Sequence, residues 1–451
     1  MKHQKTLIGA ALTVFLAALA LTITGCYHLQ AVETDGGTDG DSDGDTDGDT
    51  DGDSDGDTDI VVKPEIDGVD MLLVVDNSHS MKEEQTILAT SFFQMVNALA
   101  YPLPGWDYPP VDDLRIAVVS SDMGMSWGGN PYKEGDGLKY DHLFNCTELG
   151  DEGQFKNMNN IDNHINLAQD FIYCSGNAAQ CPEGWECIDS SGSPVNNTVG
   201  FCHDPSGNGT YQKCPTSPYD LGMDWITTSP DAQNANLALT TACISNLGTN
   251  GCGFEQQLQS AITGLTRSDQ KNFIRDNKLL VVLVVSDEED CSIKDGPGFF
   301  TSSEMQDVAK LNIACGADHN QKFLYSSKHF VDSLRSFKKS NSDNVLFAAI
   351  VGVPYGADSI CQGDGTNIGD CLDYADMQLT EQSVIDENGK VVKRWNYACE
   401  RGTVTRAYPG RRYVEIAEEF GNMGYIYSIC NEDWSSAMEN IAKIIASKIS
   451  K

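Results

Sequence analysis

Short apolar runs alternate along this chain with segments in which apolar residues recur every three or four positions. The run over residues 71–75 is unbroken, as in a strand that is covered on both faces at the centre of a parallel sheet. The other runs of the strand type cover residues 114–121, 279–285, 345–351 and 425–429. Helical spacing is found over residues 82–100, 232–247, 254–265, 326–339, 413–420 and 441–449.

This alternation predicts an α/β fold with a doubly wound, mostly parallel sheet and helices on both faces. Right-handed crossovers would bring every loop that follows a strand to one edge of that sheet. The pattern is lost over residues 122–231 and 354–401, which are rich in Gly, Asn, Ser, Pro and Cys. Such long irregular stretches are uncommon in compact domains, so we expect disulfide-rich insertions there, within one domain over residues 66–451.

The first apolar run ends in Asp76-Asn77-Ser78-His79-Ser80, which places three oxygen-bearing side chains at alternate positions. Ligands of open α/β sheets bind at the carboxyl ends of the strands. A carboxylate and two hydroxyls suit a hard divalent cation such as Mg2+. The alternative is a plain polar turn after a buried strand.

This D-x-S-x-S sequence resembles the metal-ion-dependent adhesion site of von Willebrand factor type A domains, whose order of elements is also similar. The resemblance implies a Rossmann-like fold and one Mg2+, Mn2+ or Ca2+ ion held by Asp76, Ser78, Ser80, a threonine and a further aspartate. Asp287, in Ser286-Asp287 after an apolar run, matches that aspartate.

Thr249, in Leu247-Gly248-Thr249-Asn250, is the matching threonine, although the family's second threonine and glycine spacing are absent. The alternatives are a turn at Thr249 and a solvated acidic helix start over residues 287–290. Clustered acidic residues there would favour Ca2+ and repel an acidic partner. The resemblance implies metal-dependent binding of a protein or cell-surface ligand, whose acidic side chain replaces a water on the cation.

Charge further restricts the partners, because the chain has a net charge of −36. Phosphates are bound by Lys and Arg, so this balance argues against nucleic acid and anionic lipid as ligands. Twelve Asp residues lie in a low-complexity tract over residues 35–59 that contains no apolar residue. We expect residues 27–65 to form a disordered acidic linker that binds Ca2+ weakly at most.

The amino terminus predicts export to the cell envelope. Lys2 and Lys5 precede an apolar segment over residues 7–23, as in a signal peptide. The following Ile23-Thr24-Gly25-Cys26 resembles a bacterial lipobox, which implies cleavage before Cys26 and lipidation of its thiol. An ordinary signal peptide and an uncleaved anchor are the alternatives. Tyr27 after the cysteine favours the outer membrane or the cell surface.

Fourteen cysteines remain when Cys26 is set aside from the 15 in the chain. An even number in an exported protein predicts up to seven disulfides, with connectivity left open.

Catalytic motifs are sparse. Gly124–Gly128 reads G-x-S-x-G after a strand, but a nucleophile elbow must open a helix, and Gly129 and Pro131 follow. We therefore expect no enzyme, with a serine hydrolase at Ser126 as one alternative. A structural envelope protein with a degenerate metal site is another.

Overall fold

The structure, a computed structural model, describes residues 66–100, 102, 106–127, 145–157, 173–175, 186–188, 199–203, 225–228, 237–303, 305, 313–356, 359–385, 389–402 and 405–449. All of them belong to one unit, residues 62–451. The predicted signal peptide, Cys26 and the acidic linker lie outside the described residues, as does most of the segment 122–231.

The described residues form fourteen strands and seven α-helices. The strands are β1 (Val69–Val75), β2 (Leu114–Ser120), β3 (Tyr173–Ser175), β4 (Glu186–Ile188), β5 (Val199–His203), β6 (Ile226–Thr227), β7 (Leu279–Val285), β8 (Val345–Val351), β9 (Gly363–Asp364), β10 (Glu381–Ile385), β11 (Val391–Trp395), β12 (Cys399–Arg401), β13 (Thr405–Ala407) and β14 (Gly424–Ser428). The helices are α1 (Lys82–Ala100), α2 (Leu237–Ser245), α3 (Gln257–Thr266), α4 (Gly296–Phe300), α5 (Ser327–Ser336), α6 (Arg411–Phe420) and α7 (Ser435–Lys448). None of the described helices is both long and apolar enough to cross a bilayer.

The main sheet has seven strands in the order β6-β2-β1-β7-β8-β14-β9. The five central strands are parallel, whereas β6 and β9 pair antiparallel with their neighbours at the two edges. The predicted α/β class and the mostly parallel sheet are therefore confirmed. Each of the segments 122–231 and 354–401, where the sequence pattern is lost, contributes one edge strand to this sheet, β6 and β9 respectively.

Side chains alternate along β1 between two cores, which explains its unbroken apolar sequence. Met71, Leu73 and Val75 pack in a core with residues of α1, α2 and α7. Leu72 and Val74 pack in a second core with residues of α3, α5 and α6. All five side chains are fully buried, as expected for a central strand with helices on both faces.

The predicted helix over 254–265 begins later, at Gln257. Phe254 belongs instead to a small third core with Phe299 and Phe300. Glu255 forms an antiparallel bridge with Asp122, so its backbone is engaged outside the helix. Phe254 thus has the spacing of the apolar residues of α3, although it lies before the first residue of that helix.

Eight of the described cysteines form four disulfides, which confirms the predicted oxidised state for these residues. The pairs are Cys146–Cys252, Cys291–Cys315, Cys361–Cys371 and Cys399–Cys430. Cys243 is disulfide-bonded as well. Removing such a link typically lowers the stability of an exported domain, because the unfolded chain gains conformational freedom.

A buried ion pair lies at the amino end of the sheet. Asp70 in β1 is fully buried and accepts hydrogen bonds from the Arg275 guanidinium at 2.7 and 2.8 Å. The same guanidinium binds Asp113, at 2.5 Å. Burial raises the pKa of Asp70, and the contacts with Arg275 oppose that rise.

We predict that Arg275→Met destabilises the fold by about 3 kcal/mol, because it removes the guanidinium that pairs with the buried Asp70 carboxylate. Urea unfolding followed by circular dichroism measures the loss. Lys328→Met is the matched control, since the Lys328–Asp332 pair is exposed and surface pairs contribute little. Equal stability of Arg275→Met and the wild type would show that the pair is dispensable.

Candidate metal centre

The candidate site lies where the order of the parallel strands reverses. From β1 the chain first adds β2 on one side of it. The next central strands, β7, β8 and β14, are then added in turn on the other side, so the order reverses between β1 and β7. Val75 and Val285, the last residues of β1 and β7, are in register. Open α/β sheets form a ligand-binding crevice at such a switch point. The loops after β1 and β7 therefore start side by side at this crevice.

Asp76 follows β1 directly and is fully buried. One carboxylate oxygen, Oδ1, accepts a hydrogen bond from the Ser78 backbone N–H at 2.8 Å. The other, Oδ2, accepts one from the Ser286 hydroxyl at 2.6 Å. Burial raises the pKa of Asp76, and these two hydrogen bonds oppose the rise. The Gln85 amide donates to the Asp76 carbonyl at 2.8 Å and so fixes the loop backbone.

Hydroxyls connect this loop to Asp287. The Ser78 and Ser80 oxygens are 3.0 Å apart, and the Ser80 hydroxyl donates to Asp287 Oδ1 at 3.1 Å. Asp287 is buried, whereas Ser80 is exposed, so the group reaches the surface. Burial and the nearby charge of Asp76 raise the pKa of Asp287 well above its usual value. The structure thus brings together Asp76, Ser78, Ser80 and Asp287.

Thr249 lies half-buried in the loop between α2 and α3, next to the Asp76 loop. Gln85 binds both the N–H and the carbonyl of Gly248, at 3.0 and 2.8 Å. Gly251 donates its N–H to the Asn77 carbonyl at 2.9 Å. A Cβ atom at Gly251 would lie 2.3 Å from the Asn77 side chain, so a larger residue there would have to displace that side chain. Both contacts hold the Thr249 loop through its backbone.

Sequence reasoning missed two polar residues at the start of α3. The Gln257 amide donates to Ser286 Oγ at 2.8 Å and lies 3.4 Å from Asp76 Oδ2. Glu255 is buried, and its burial together with the charges of Glu288 and Asp76 raises its pKa well above the usual value. In the sequence, Glu255 and Gln257 belong to the polar cluster Glu255-Gln256-Gln257, which lies between apolar residues of an amphipathic pattern and could have drawn attention to them.

The interpretation of residues 287–290 as a solvated acidic helix start is wrong, because no helix begins there and Asp287, Glu289 and Asp290 are buried. Glu289 instead accepts hydrogen bonds from the backbone N–H groups of Arg411 and Arg412, the first residues of α6, at 2.9 and 3.2 Å. Burial raises the pKa of Glu289 to about 8.

Asp290 is also engaged in the fold. Its carboxylate accepts from the Leu258 N–H at 2.9 Å, near the start of α3. It also pairs with the Arg412 guanidinium at 3.1 Å, where both side chains are almost fully buried. Two of the four acidic residues after β7, Glu289 and Asp290, therefore accept hydrogen bonds from backbone N–H groups near the starts of helices.

Four of the five expected ligands, Asp76, Ser78, Ser80 and Asp287, supply two carboxylates and two hydroxyls, a set of oxygen donors that fits Mg2+, Mn2+ or Ca2+. Among the described residues, no three His, Cys, Asp or Glu side chains are arranged to hold a metal ion. The set at Asp76 and Asp287 contains only two such side chains and depends on hydroxyl oxygens for the rest.

The structure also places Ser126, the serine of the G-x-S-x-G motif, and His79, which lies within the D-x-S-x-S sequence. The Ser126 side chain is buried, and its hydroxyl donates to the Met123 carbonyl at 2.7 Å. His79 is exposed in the short 3-10 turn His79–Met81 that follows Ser78.

No protein-family model matches the chain, and a search of curated proteins finds no match either. The α/β class therefore follows from the sheet and its helices. The candidate site rests on the contacts among its own side chains.

We predict that Glu289→Ala destabilises the protein by about 1–3 kcal/mol, because two backbone N–H groups at the start of α6 lose their acceptor. Thermal unfolding measures the loss. Glu289→Gln is the intermediate variant, since its single amide oxygen can replace only one of the two carboxylate oxygens that accept from Arg411 and Arg412, and it should recover part of the loss. A Glu289→Ala variant as stable as the wild type would remove this structural role.

Proposed function

We propose that this protein is a lipid-anchored protein of the bacterial cell envelope with a von Willebrand type A-like domain. Its function is divalent-cation-dependent binding of a protein or cell-surface ligand. The cation is held by Asp76, Ser78, Ser80 and Asp287, with Thr249 as a further ligand on the basis of the resemblance. The observation that carries this proposal is the meeting of the first four residues at the switch point of the sheet.

The two buried aspartates of β1 support this assignment. Asp70, at the amino end of the strand, is neutralised by Arg275. Asp76, directly after its carboxyl end, receives its hydrogen bonds from Ser78, Ser286 and Gln257, which carry no charge. Buried charges are normally paired or coordinate a metal. A bound cation would supply the charged partner that Asp76 lacks among these contacts.

Each residue of the site has a distinct role in this proposal. Asp76 and Asp287 supply the negative charge, and Ser78 and Ser80 supply neutral oxygens. The bound cation would contribute a coordination position at which an acidic side chain of the partner replaces water. Exposure of Ser80 gives such a side chain a route to this position.

A structural role in the envelope is the second candidate. It is favoured by the lack of any three acidic, His or Cys side chains in metal-binding arrangement among the described residues. In that case the hydroxyls of Ser80 and Ser286 satisfy the carboxylates without a cation. Metal titration separates the two candidates.

We predict that Mg2+, Mn2+ or Ca2+ raises the melting temperature of the wild type, because an ion that binds the folded state alone stabilises it. At an ion concentration 100 times the Kd, the gain is about 2.7 kcal/mol. Asp76→Ala should lose the shift. Asp76→Asn preserves the shape of the buried side chain but removes its charge, and it should lose the shift as well. His79→Ala, an exposed change in the same loop, should retain it.

Equal shifts in the wild type and both Asp76 variants, or no shift in any of them, would contradict the proposed site. Capture of envelope proteins on the immobilised wild type, with and without chelator, then tests the binding function. Ligands that depend on the site must be released by the chelator and must not bind to Asp76→Ala.

For the anchor, we predict that Cys26→Ser releases the protein from membranes, because one lipidated cysteine is the proposed attachment. Fractionation followed by a carbonate wash measures the release. The matched control is Tyr27→Ser, which changes the neighbouring residue and keeps the thiol. A Cys26→Ser protein that still sediments with membranes would contradict the lipoprotein assignment.

A further inference from the structure

A stretch of basic residues stands out against the acidity of the rest of the chain. Residues 389–412 contain seven Lys or Arg and one acidic residue, whereas the whole chain has 30 basic and 66 acidic side chains. The stretch includes β11, β12 and β13 and ends at the start of α6. A local excess of positive charge attracts anionic groups to that part of a protein surface.

Two guanidinium groups and two tyrosine rings of this stretch are in contact with one another. Arg394 and Arg406 lie over the Tyr397 ring, at 4.7 and 5.8 Å from its centre. The Tyr397 ring packs against the Tyr408 ring, with the two centres 5.1 Å apart. Arg406 is exposed and the other three residues are half-buried. We call these four residues the arginine patch.

Backbone contacts fix the arginine patch beside the candidate centre. The Tyr408 N–H donates to the carbonyl of Asp287 at 2.9 Å. β12 and β13 pair with each other, and the disulfide Cys399–Cys430 joins β12 to a residue just after β14. The patch therefore lies at the carboxyl edge of the sheet, where Asp287 also lies.

The charges of the arginine patch are open to exchange with a partner. Arg394 pairs with the exposed Glu400 at 3.0 Å, and Arg406 forms no ion pair with any of the described residues. Arg412, in contrast, is buried and pairs with Asp290. Exposed ion pairs contribute little free energy, so Arg394 can release Glu400 and bind another carboxylate at small cost.

We infer that the arginine patch binds an acidic segment of the protein partner, whose neighbouring carboxylates contact Arg394 and Arg406 while one carboxylate reaches the cation. The inference rests on the proposed function, because it extends the contact surface from the cation to this patch. Guanidinium groups bind carboxylates through two parallel hydrogen bonds, and stacking on Tyr397 holds both groups in place for that contact. Alternate residues of an extended segment lie about 7 Å apart on one face, so a few residues are enough to span several such contacts.

The charge of the whole chain favours a short acidic segment over a phosphate polymer or a membrane. Nucleic acids and anionic membranes carry negative charge over an extended surface, which the acidic remainder of the chain would repel. A short segment meets only the patch and the centre. Its carboxylates are also suitable ligands for the hard cation proposed at Asp76 and Asp287.

The test uses a fluorescein-labelled peptide of eight glutamates, whose binding to the full chain is followed by fluorescence anisotropy in MgCl2, in CaCl2 and in EDTA. A peptide of eight glutamines is the uncharged control probe. We expect the wild type to bind the glutamate peptide, and the double variant Arg394→Gln/Arg406→Gln to bind it roughly tenfold more weakly. The double variant should melt at the temperature of the wild type, because both side chains lie at the surface.

Arg335→Gln is the matched control. The Arg335 guanidinium also lies over an aromatic ring, that of Phe420, at 5.0 Å from its centre. It belongs to the last turn of α5, which leads to the amino end of β8 and therefore to the opposite edge of the sheet. This variant should bind the glutamate peptide as tightly as the wild type does.

The inference is overturned if the wild type does not bind the glutamate peptide, if the double variant binds it unchanged, or if Arg335→Gln weakens binding equally. Binding of inorganic phosphate or phosphatidylglycerol vesicles that depends on the two arginines, without binding of the peptide, also overturns it. If chelator or Asp76→Ala abolishes peptide binding while the double variant does not weaken it, the proposed function stands and the inference fails. If binding depends on the arginines but neither on the cation nor on Asp76, the patch stands and the proposed cation contact fails.

Discussion

Asp76 and Asp287 follow two neighbouring strands that run parallel and in register. Burying the apolar side chains of β1 and β7 therefore also buries two carboxylates next to each other. Coulomb repulsion between like charges grows as water is excluded, so this arrangement is unfavourable unless something compensates it. In the structure, neutral donors such as Ser80 and Ser286 supply part of that compensation.

Two disulfides lie close to this edge of the sheet. Cys252 lies three residues before Glu255, and its disulfide to Cys146 joins the first insertion to the start of α3. Cys291 follows the acidic residues after β7 and is joined to Cys315. Since loops that follow strands are otherwise the mobile part of an α/β fold, these links keep the oxygen donors in a fixed arrangement.

Features that depend on neighbouring residues could be predicted from the sequence, whereas contacts between residues distant in the sequence could not. The limits of β7 and β8 were predicted correctly, because an unbroken apolar run is a local property of a buried strand. The edge strand β6 was missed, since two residues carry no periodicity. The resemblance selected Asp287, which the structure places beside Ser80. Glu255 was missed, because its backbone is held by Asp122 and Cys291, which are distant in the sequence.

The role of Glu289 and Asp290 changes the electrostatic argument about the partner. In the sequence, four consecutive acidic residues after β7 suggest a surface that repels an acidic ligand. In the structure, Glu289 faces the start of α6 and Asp290 pairs with Arg412. Both side chains are thus buried and bound within the fold. The remaining net charge of the chain acts over about 8 Å at physiological salt, so it influences the rate of encounter more than contact at the site. An acidic partner is therefore compatible with this acidic protein, provided that a cation lies between them.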